Sequence, residues 1–557
     1  MVVLLAVVAD EAGGGLLRAL AEDGQPAGPV VAVDDLGAAV RAFETANQPR
    51  WLWPATAELY PGLLRAGVRV DRCHDVELTE ALLLGYEGRW GEPRTLAAAW
   101  ARLTGSPVPP DPPPRQAAPP GEGQGALFEA TPAPSARVAD PLGALVRVYA
   151  DQRDRIDRAS EPGRLRMLVA AESAGALLAA EMGQHGLPWR ADIHEALLVE
   201  LLGPPSPVGG PPRRLAELTQ QISDAFGQRI RPDSPAEVVR AFARVGIQVP
   251  NTRAWVLQRV DHPAAQLLLA YKELYRIWVA HGWSWREQWV RDGRFHAEYV
   301  PGGVVSGRWA TRGGGALQIP KVVRRAVVAD PGWTFVVADA GQLEPRVLAA
   351  VSGDPGMMRA AGAGDMYSAL ATEAFDGDRA RAKVALLGAM YGQTGGQAVP
   401  ALAALRGFYP VAWEYVESAA RVGEAGGLVR SWLGRTCPPP SVTFREVPGD
   451  DGDSGQRAGA AARARGRFTR NFVIQATAAE WALVLLAWLR KALAGTPAEL
   501  VFFQHDEVVV HCPEEQAAAV AAAVTEAGEQ ARRLLFGETP VRFPLGVSTV
   551  ECYADAK

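Results

Sequence analysis

The apolar run WTFVVAD (333–339) ends in Asp339, and Gly341, Gln342 and Glu344 follow at a helix start. A second acid, Asp506, stands with Glu507 between the runs ELVFFQ and VVVHC. These read as two strands joined by a tight turn at His505 and Asp506. Such a hairpin tip pushes its carboxylates up beside the end of the first strand. Carboxylates held that close repel and demand compensation by cations. Two divalent ions about 3.5–4 Å apart are the usual answer; the pair activates an attacking oxygen and stabilises a leaving phosphate oxygen. An all-oxygen site suits Mg²⁺, with substrate phosphates completing its coordination. Read singly, Asp339 serves equally well as a helix cap, and residues 505–507 as a polar turn.

Cations and amides recur at helical spacing. In RARAKVALLGAMYG, Arg379 and Lys383 lie four apart on one face, with Leu387 and then Tyr391 further along it, just before Gly392. Two cations, an apolar step and a ring on one stripe suit a triphosphate and a base. The plainer reading is a solvated basic face with a buried tyrosine. Arg467, Asn471 and Gln475 form a second polar stripe on an otherwise apolar helix, with Arg463, Arg465 and Arg470 near its start. Amides can bond base edges or sugars, and arginines hold phosphates. Gly307 and Arg308 open a basic segment with Arg312, Lys321, Arg324 and Arg325, suited to a backbone or minor-groove contact.

The elements that must position these groups belong to a chain of 557 residues, 48% apolar, with a formal net charge of -5. That length predicts roughly three to five folding units. The charge means that any nucleic acid must be met by a local basic groove. The opening run MVVLLAVVAD has no positive flank and is too short to span a bilayer, so it reads as a buried strand. Cys73, Cys437, Cys512 and Cys552 have no paired spacing, which argues against a disulfide scaffold or a zinc site and for a reducing cytoplasm. Residues 1–150 alternate short apolar runs and helical stretches, as a small α/β unit does. A Pro/Gly-rich loop is expected at 104–126, and helices over 160–290 are broken at 204–212. The pattern turns β-like at 293–300 and helical again over 365–435. A polar, Gly-rich mobile insertion is predicted at 438–466, then one long helix over 467–493, a helix over 513–535 and a final β segment at 541–552.

From about residue 165 to its end the chain resembles the family A DNA polymerases, the bacterial DNA polymerase I type. It is most similar to the shorter actinobacterial branch described as bifunctional 3'-5' exonuclease/DNA polymerase. The family's Asp-Tyr-Ser-Gln-Ile-Glu-Leu-Arg resembles residues 339–346 here, its Arg-x3-Lys-x3-aromatic-x3-Tyr-Gly resembles 379–392, and its His-Asp-Glu resembles 505–507. SGRWATRGGGALQIP resembles the segment that carries a minor-groove arginine, here Arg308.

The resemblance implies an α/β multidomain right hand of palm, fingers and thumb, preceded by a ribonuclease H-like 3'-5' exonuclease-type domain. The implied boundaries are 1–160 for that first domain, 161–300 for thumb and connecting helices, and 301–350 for the first part of the palm. Fingers follow at 351–465 and the second part of the palm at 466–557. The implied function is DNA-directed DNA polymerase, adding dNTPs to a primer 3'-OH. Asp339 and Asp506 would hold two Mg²⁺, with Mn²⁺ as a substitute, and Glu507 would assist. Arg379 and Lys383 would hold the triphosphate beside Gln342 and Leu387, Tyr391 would stack at the base, and Glu344 would be the gate against a ribose 2'-OH. Arg308, Arg467, Asn471, Gln475 and His505 would contact template and primer. The chain departs from the family pattern at Ala340, Gly341, Pro345, Tyr367 and Leu387, which alters the sugar pocket.

The first domain needs an Asp-x-Glu and two further Asp to hold a metal pair for an exonuclease. Its first strands carry no Asp-x-Glu, and the matching segments offer only Glu58, Asp75 and Asp151. A degenerate remnant bracing the palm is therefore expected, against the alternative of an active exonuclease, and no additional 5' nuclease domain is expected. A single-subunit RNA polymerase is disfavoured by Glu344. A non-catalytic DNA-binding derivative is disfavoured by the joint presence of Asp339, Asp506, Arg379 and Lys383. Partners are expected to be primer–template DNA and dNTP, without a membrane, for a cytoplasmic, nucleoid-associated monomer.

Overall fold

The structure, a computed structural model, describes residues 4–113, 138–206, 209–312, 318–362, 364–391, 398–439 and 454–556. Gly392, residues 114–126 of the expected Pro/Gly-rich loop, positions 207–208 of the 204–212 break and residues 440–453 of the expected insertion lie outside the described residues.

The N-terminal sheet has five strands: β1 (Leu4–Ala9), β2 (Gly15–Leu20), β3 (Pro26–Val33), β4 (Arg50–Trp53) and β5 (Arg72–Asp75). Their order is β3-β2-β1-β4-β5. β2 runs antiparallel to both neighbours, while β1, β4 and β5 are parallel. This is the mixed sheet expected of the ribonuclease H-like unit. Successive side chains leave opposite faces of a strand, and both faces of β1 are covered. Leu5 and Val7 pack with Trp51, Trp53 and Tyr60 on one side. Leu4 and Ala6 pack with Leu52, Val76 and Tyr149 on the other. Two-sided burial is why the opening run is continuously apolar. β2, with an arginine inside a short run, was not singled out from patterning.

A 24-residue helix, α1 (Pro162–His185), leaves the first unit and lies against the rest. Its Glu181 is the junction. Tyr60 donates to Glu181 Oε1 at 2.6 Å, Arg69 at 3.1 Å, and Arg490 reaches both carboxylate oxygens at 2.6 and 3.0 Å. Arg490 also donates to the carbonyls of Val70 and Asp71. Three distant stretches of sequence thus share one buried charge pair, whose side chains are only 5–6% exposed.

The second sheet is antiparallel, with strands β6 (Trp333–Ala340), β7 (Glu499–Gln504), β8 (Glu507–Pro513) and β9 (Leu545–Val550) in the order β7-β8-β6-β9. β6 is therefore flanked on both edges, and Phe335 to Ala338 are all buried. A long helix, α5 (Ser454–Ala492), has 39 residues. Four shorter helices complete the site region, and three of them matter below: α2 (Leu343–Ser352), α3 (Met366–Ala374) and α4 (Arg379–Tyr391). Among the described residues, the stretch long and apolar enough to cross a bilayer is Gly459–Ala492, and 83% of its most apolar window is buried inside the chain.

Two sequence expectations change. The insertion predicted at 438–466 is helical from Ser454, because α5 begins there. Gly466 marks close helix contact, since a side chain there would run into Glu424. The helical region predicted to reach 435 stops at Glu424, and the chain then makes a bridged turn between Arg430 and Thr436.

That turn is held by Glu480 of α5, which accepts from the Ser431 hydroxyl and, at 3.0 Å, from Leu433 N–H. Burial pushes the Glu480 carboxyl up to about 7, only partly offset by Ser431 and Arg435. A folded pKa raised above the ordinary 4.5 means that the folded state holds the proton more tightly. The linked stability is full below pH 4.5 and is lost as pH rises through about 7. Glu480→Gln is expected to flatten the stability profile between these limits, read as denaturation midpoints across pH; a slope equal to that of the wild type would refute the assignment. Glu181→Ala, which strands the Arg490 guanidinium, is expected to cost about 3–5 kcal/mol in denaturant unfolding. Tyr60→Phe, which removes the bond to Glu181 and a long one accepted from Val70 N–H, should cost about 1–2 kcal/mol.

Candidate active site

The register of β6 and β8 places the acids. Asp339 lies opposite Glu507 on β8 and opposite Gly546 on β9. One residue on, Ala340 N–H donates to the Asp506 carbonyl at 3.1 Å. The turn between β7 and β8 is closed by Asp506 N–H to Gln504 O at 2.7 Å, with His505 in the left-handed region at φ 58°. Asp339 and Asp506 thus stand at one end of the sheet, both partly exposed. Their donor set is all oxygen, as a hard divalent ion requires. Among the described residues no group of three or more His, Cys, Asp or Glu side chains forms a metal cluster.

Glu507 is buried and turned to other work. Its Oε1 accepts from the Tyr553 hydroxyl at 2.6 Å and lies 3.7 Å from Arg324. Arg324 stacks 4.2 Å over the Tyr553 ring. Burial and Glu507 raise the Tyr553 pKa, so the phenol stays protonated as a donor. Arg324, read from sequence as part of a nucleic-acid-facing segment, is therefore turned inward, drawn by a buried carboxylate.

At the other end of the first motif, Gln342 takes φ 58° and breaks the chain from β6 into α2. Its amide joins α3: Nε2 donates to Asp365 Oδ1 at 2.7 Å, and Oε1 accepts from Met366 N–H at 2.9 Å. Pro345 sits in the first turn of α2, where its missing N–H would have had no partner within the helix. Arg346, 1% exposed, donates to the carbonyls of Gly341, Ala361, Gly364 and Arg542 and locks this corner.

Glu344 is clamped from two sides, by Arg308 Nη2 at 2.5 Å and by the Tyr391 hydroxyl at 2.6 Å. Burial and then Glu344 raise the Tyr391 pKa, keeping that proton in place. Arg379 donates through Nε to Asp365 Oδ2 at 2.7 Å and lies 5.5 Å over the Tyr367 ring. Partial burial would raise the Asp365 pKa, but bonds from Arg379, Gln342 and Ser368 outweigh it and hold the carboxyl well below its usual range. Lys383 is exposed four residues along α4.

Some of these parts meet at one cavity of about 180 Å³, whose lining does not include Asp339, Arg379, Lys383 or Tyr391. Arg308, Gln342 to Pro345, Tyr367 and Leu387 supply one side; Ala478, Ala479, His505 and Asp506 supply the other. The stripe of Arg467, Asn471 and Gln475 runs along the same helix as the two alanines, exposed or half-buried among buried neighbours. Asn471 Oδ1, Gln504 Oε1 and His505 Nδ1 are buried with no hydrogen-bond partner among the described residues. Buried polar atoms are normally paired, so these hold unspent bonding capacity beside the cavity. His505 is kept uncharged by burial and by nearby Arg308.

Other arginines read as phosphate contacts are occupied. Arg470 is buried, donates to Ala389 O at 3.2 Å and pairs with Glu417. Arg465 bonds the Pro438 carbonyl, and Arg312 pairs with Glu298 at 2.9 Å. Asp365, Tyr553 and the Glu172–Arg435 pair beneath Gly307 escaped the sequence reading. Only Asp365 carried a legible signal, as an Asp directly before a helix start.

In the N-terminal unit, Asp75 is buried and caps the Val76–Tyr86 helix, accepting from Leu78 N–H at 2.8 Å and Thr56 N–H at 2.7 Å. Asp151 pairs with Arg155 at 3.2 Å, and Glu58 is exposed on the Thr56–Arg65 helix.

Comparison with known proteins agrees with this geometry. The chain is similar to DNA polymerase I of Chloroflexus aurantiacus (25% identity over 367 residues, 60% of this chain and 36% of that one). It is also similar to the thermostable DNA polymerase I of Thermus aquaticus (28% over 334 residues, 53% of this chain and 37% of that one). The chain thus spans little more than a third of the length of these curated relatives. In fold it matches the POL domain of Pol1 from M. smegmatis, solved in complex with DNA primer-template and dNTP. That match has a TM-score of 0.70 at 18% identity and covers 99% of this chain and 96% of that one. The sequence model of DNA polymerase family A matches residues 212–550. The chain belongs to DNA polymerase family A.

Proposed function

We propose that this chain is a DNA-directed DNA polymerase that adds dNTPs to a primer 3'-OH on a DNA template. The observation that carries the reading is the single cavity into which Arg308, Gln342, Glu344, Tyr367, Leu387, His505 and Asp506 converge from five separate segments. In this reading the two-part palm is 301–350 with 466–557, the fingers are 351–465 and the thumb with its connecting helices is 161–300.

Asp339 and Asp506 are the residues that would hold two Mg²⁺, or Mn²⁺ in their place. Such a pair, when bound, activates the attacking oxygen and stabilises the leaving phosphate oxygen. Arg379 and Lys383 bind the triphosphate as cations on one helix face. Glu344, fixed by Arg308 and Tyr391, fills the space a ribose 2'-OH would need, and favours DNA over RNA synthesis. The unpaired acceptors of Asn471 and Gln504, with neutral His505, meet primer and template. Glu507 acts on the pair indirectly, by anchoring the strand end to Tyr553. The partners are primer–template DNA and dNTP, and the protein acts as a monomer in the cytoplasm near the nucleoid.

Residues 1–160 serve as a degenerate exonuclease-like brace. Support comes from the capping role of Asp75, the ion pair of Asp151 and the Glu181–Arg490 junction. The second reading, a bifunctional enzyme with an active 3'-5' exonuclease, predicts primer shortening that survives loss of Asp506.

Primer extension on a recessed duplex with Mg²⁺ tests both. Asp506→Ala and Asp339→Ala are each expected to lose at least about a thousandfold in rate, the equivalent of several kcal/mol of charge stabilisation, while still binding the duplex. Retained extension in either variant would sink the assignment, and primer shortening without nucleotides would establish the exonuclease. Glu344→Ala should lower the preference for dNTP over rNTP by about 10- to 100-fold, the range for one pocket contact of about 1–3 kcal/mol. An unchanged preference would remove Glu344 from sugar selection.

A further inference from the structure

A second cavity, of about 450 Å³, opens between the N-terminal sheet, the Pro141–Asp157 helix and α1. Its volume is in the range of small-molecule sites, about 300–1,000 Å³. It shares no residue with the palm cavity, so it stands apart from the polymerase reading.

The lining is unbalanced in charge. Arg50, Arg153 and Arg166 face one carboxylate, Asp157. Asp157 is already taken by Arg166, at 2.8 Å, in a pair more than half exposed to solvent. Among the described residues, neither Arg50 nor Arg153 pairs with that carboxylate. Arg50 opens β4 and makes one long hydrogen bond, from Nη1 to Cys73 O at 3.4 Å. Arg153 donates to Glu22 O at 2.8 Å and lies 5.8 Å from the Tyr149 ring centre. Burial and neighbouring Arg72 both lower the Arg50 pKa, and Arg72 Nε is itself buried without a partner. Guanidinium groups drawn out of water beside one another are costly unless an anion joins them.

The opposite wall has a different character. Tyr149 is 9% exposed and packs edge-on against His74 at 4.9 Å. His74 bonds Gln152 at 3.1 Å and, with its pKa lowered to about 4 by burial, carries no charge. Ile156 and Val169 continue this wall as buried apolar surface. A bare phosphate would satisfy the arginines but leave most of the volume and the apolar wall unused.

We propose that this cavity binds a nucleotide, with Arg50 and Arg153 on its phosphate and Tyr149, Ile156 and Val169 against its base. Titration calorimetry on the full chain tests it, in an Arg379→Gln/Lys383→Gln background that weakens the palm site. The probes are dAMP, inorganic phosphate and deoxyadenosine at one fixed ionic strength. One site is expected for dAMP, at least tenfold tighter than for phosphate, with no binding of deoxyadenosine. Arg153→Gln, at a partly exposed position, should weaken dAMP at least tenfold, and Arg50→Gln should do the same. Absence of dAMP binding, or binding that neither substitution changes, would overturn the site. Equal affinity for phosphate and dAMP would overturn the nucleotide.

Discussion

The antiparallel pairing of β6 with β8 is the constraint on which the palm depends. Because a one-residue slip in a sheet sends every side chain to the other face, the buried run from Phe335 to Ala338 permits only one register. That register delivers Asp339 and Asp506 to the same end of the sheet. The bond from Ala340 N–H to the Asp506 carbonyl ties the turn to the strand end. The placing of the two acids is thus a by-product of hydrophobic alignment: apolar residues choose the register, and the acids follow.

Gathering negative charge at one point creates a demand that the neighbourhood meets residue by residue. Glu507 is answered by Tyr553 and Arg324, Glu344 by Arg308 and Tyr391, and Asp365 by Arg379 with Gln342. Each partner lies in a different segment from the acid it answers, so the electrostatic solution also joins the segments. The same logic operates at larger scale. Glu181 with Arg490, and Glu172 with Arg435, are buried pairs between residues hundreds of positions apart. A buried ion pair is not a strong net source of stability, but breaking one strands a charge. Its effect is to make one relative placement of the two units much better than any other.

The expectations for Asp339, Asp506, Arg379, Lys383 and the stripe of Arg467, Asn471 and Gln475 rest on signals that are local. A strand that ends in an acid, a hairpin tip and a four-residue helical spacing are each contained in one element. The structure brings Arg308, Gln342, Glu344, Leu387, His505 and Asp506, from four of the motif segments, to a single cavity. Errors arose where local composition misled. Glycines at 459 and 466 suggested a loop, yet α5 runs through both, because the packing of Gly466 against Glu424 outweighs its weak helix propensity. Arg324, Arg465 and Arg470 looked like phosphate contacts, yet each is bound to a carboxylate, a carbonyl or a ring of its own chain.

The sequence by itself determined the periodic elements, the acids at their ends and the family to which the motifs point, since all of these rest on contacts within a few residues. Tertiary structure alone decided which arginines face outward, which carboxylates are already neutralised, and that Asp365 joins Gln342 to Arg379. It also decided that Arg50 and Arg153 share a cavity whose one carboxylate, Asp157, is paired with Arg166. These outcomes depend on which charges meet across the fold. Coulomb energy is governed by distance in space and by burial, and neither quantity is written in the spacing of residues along the chain.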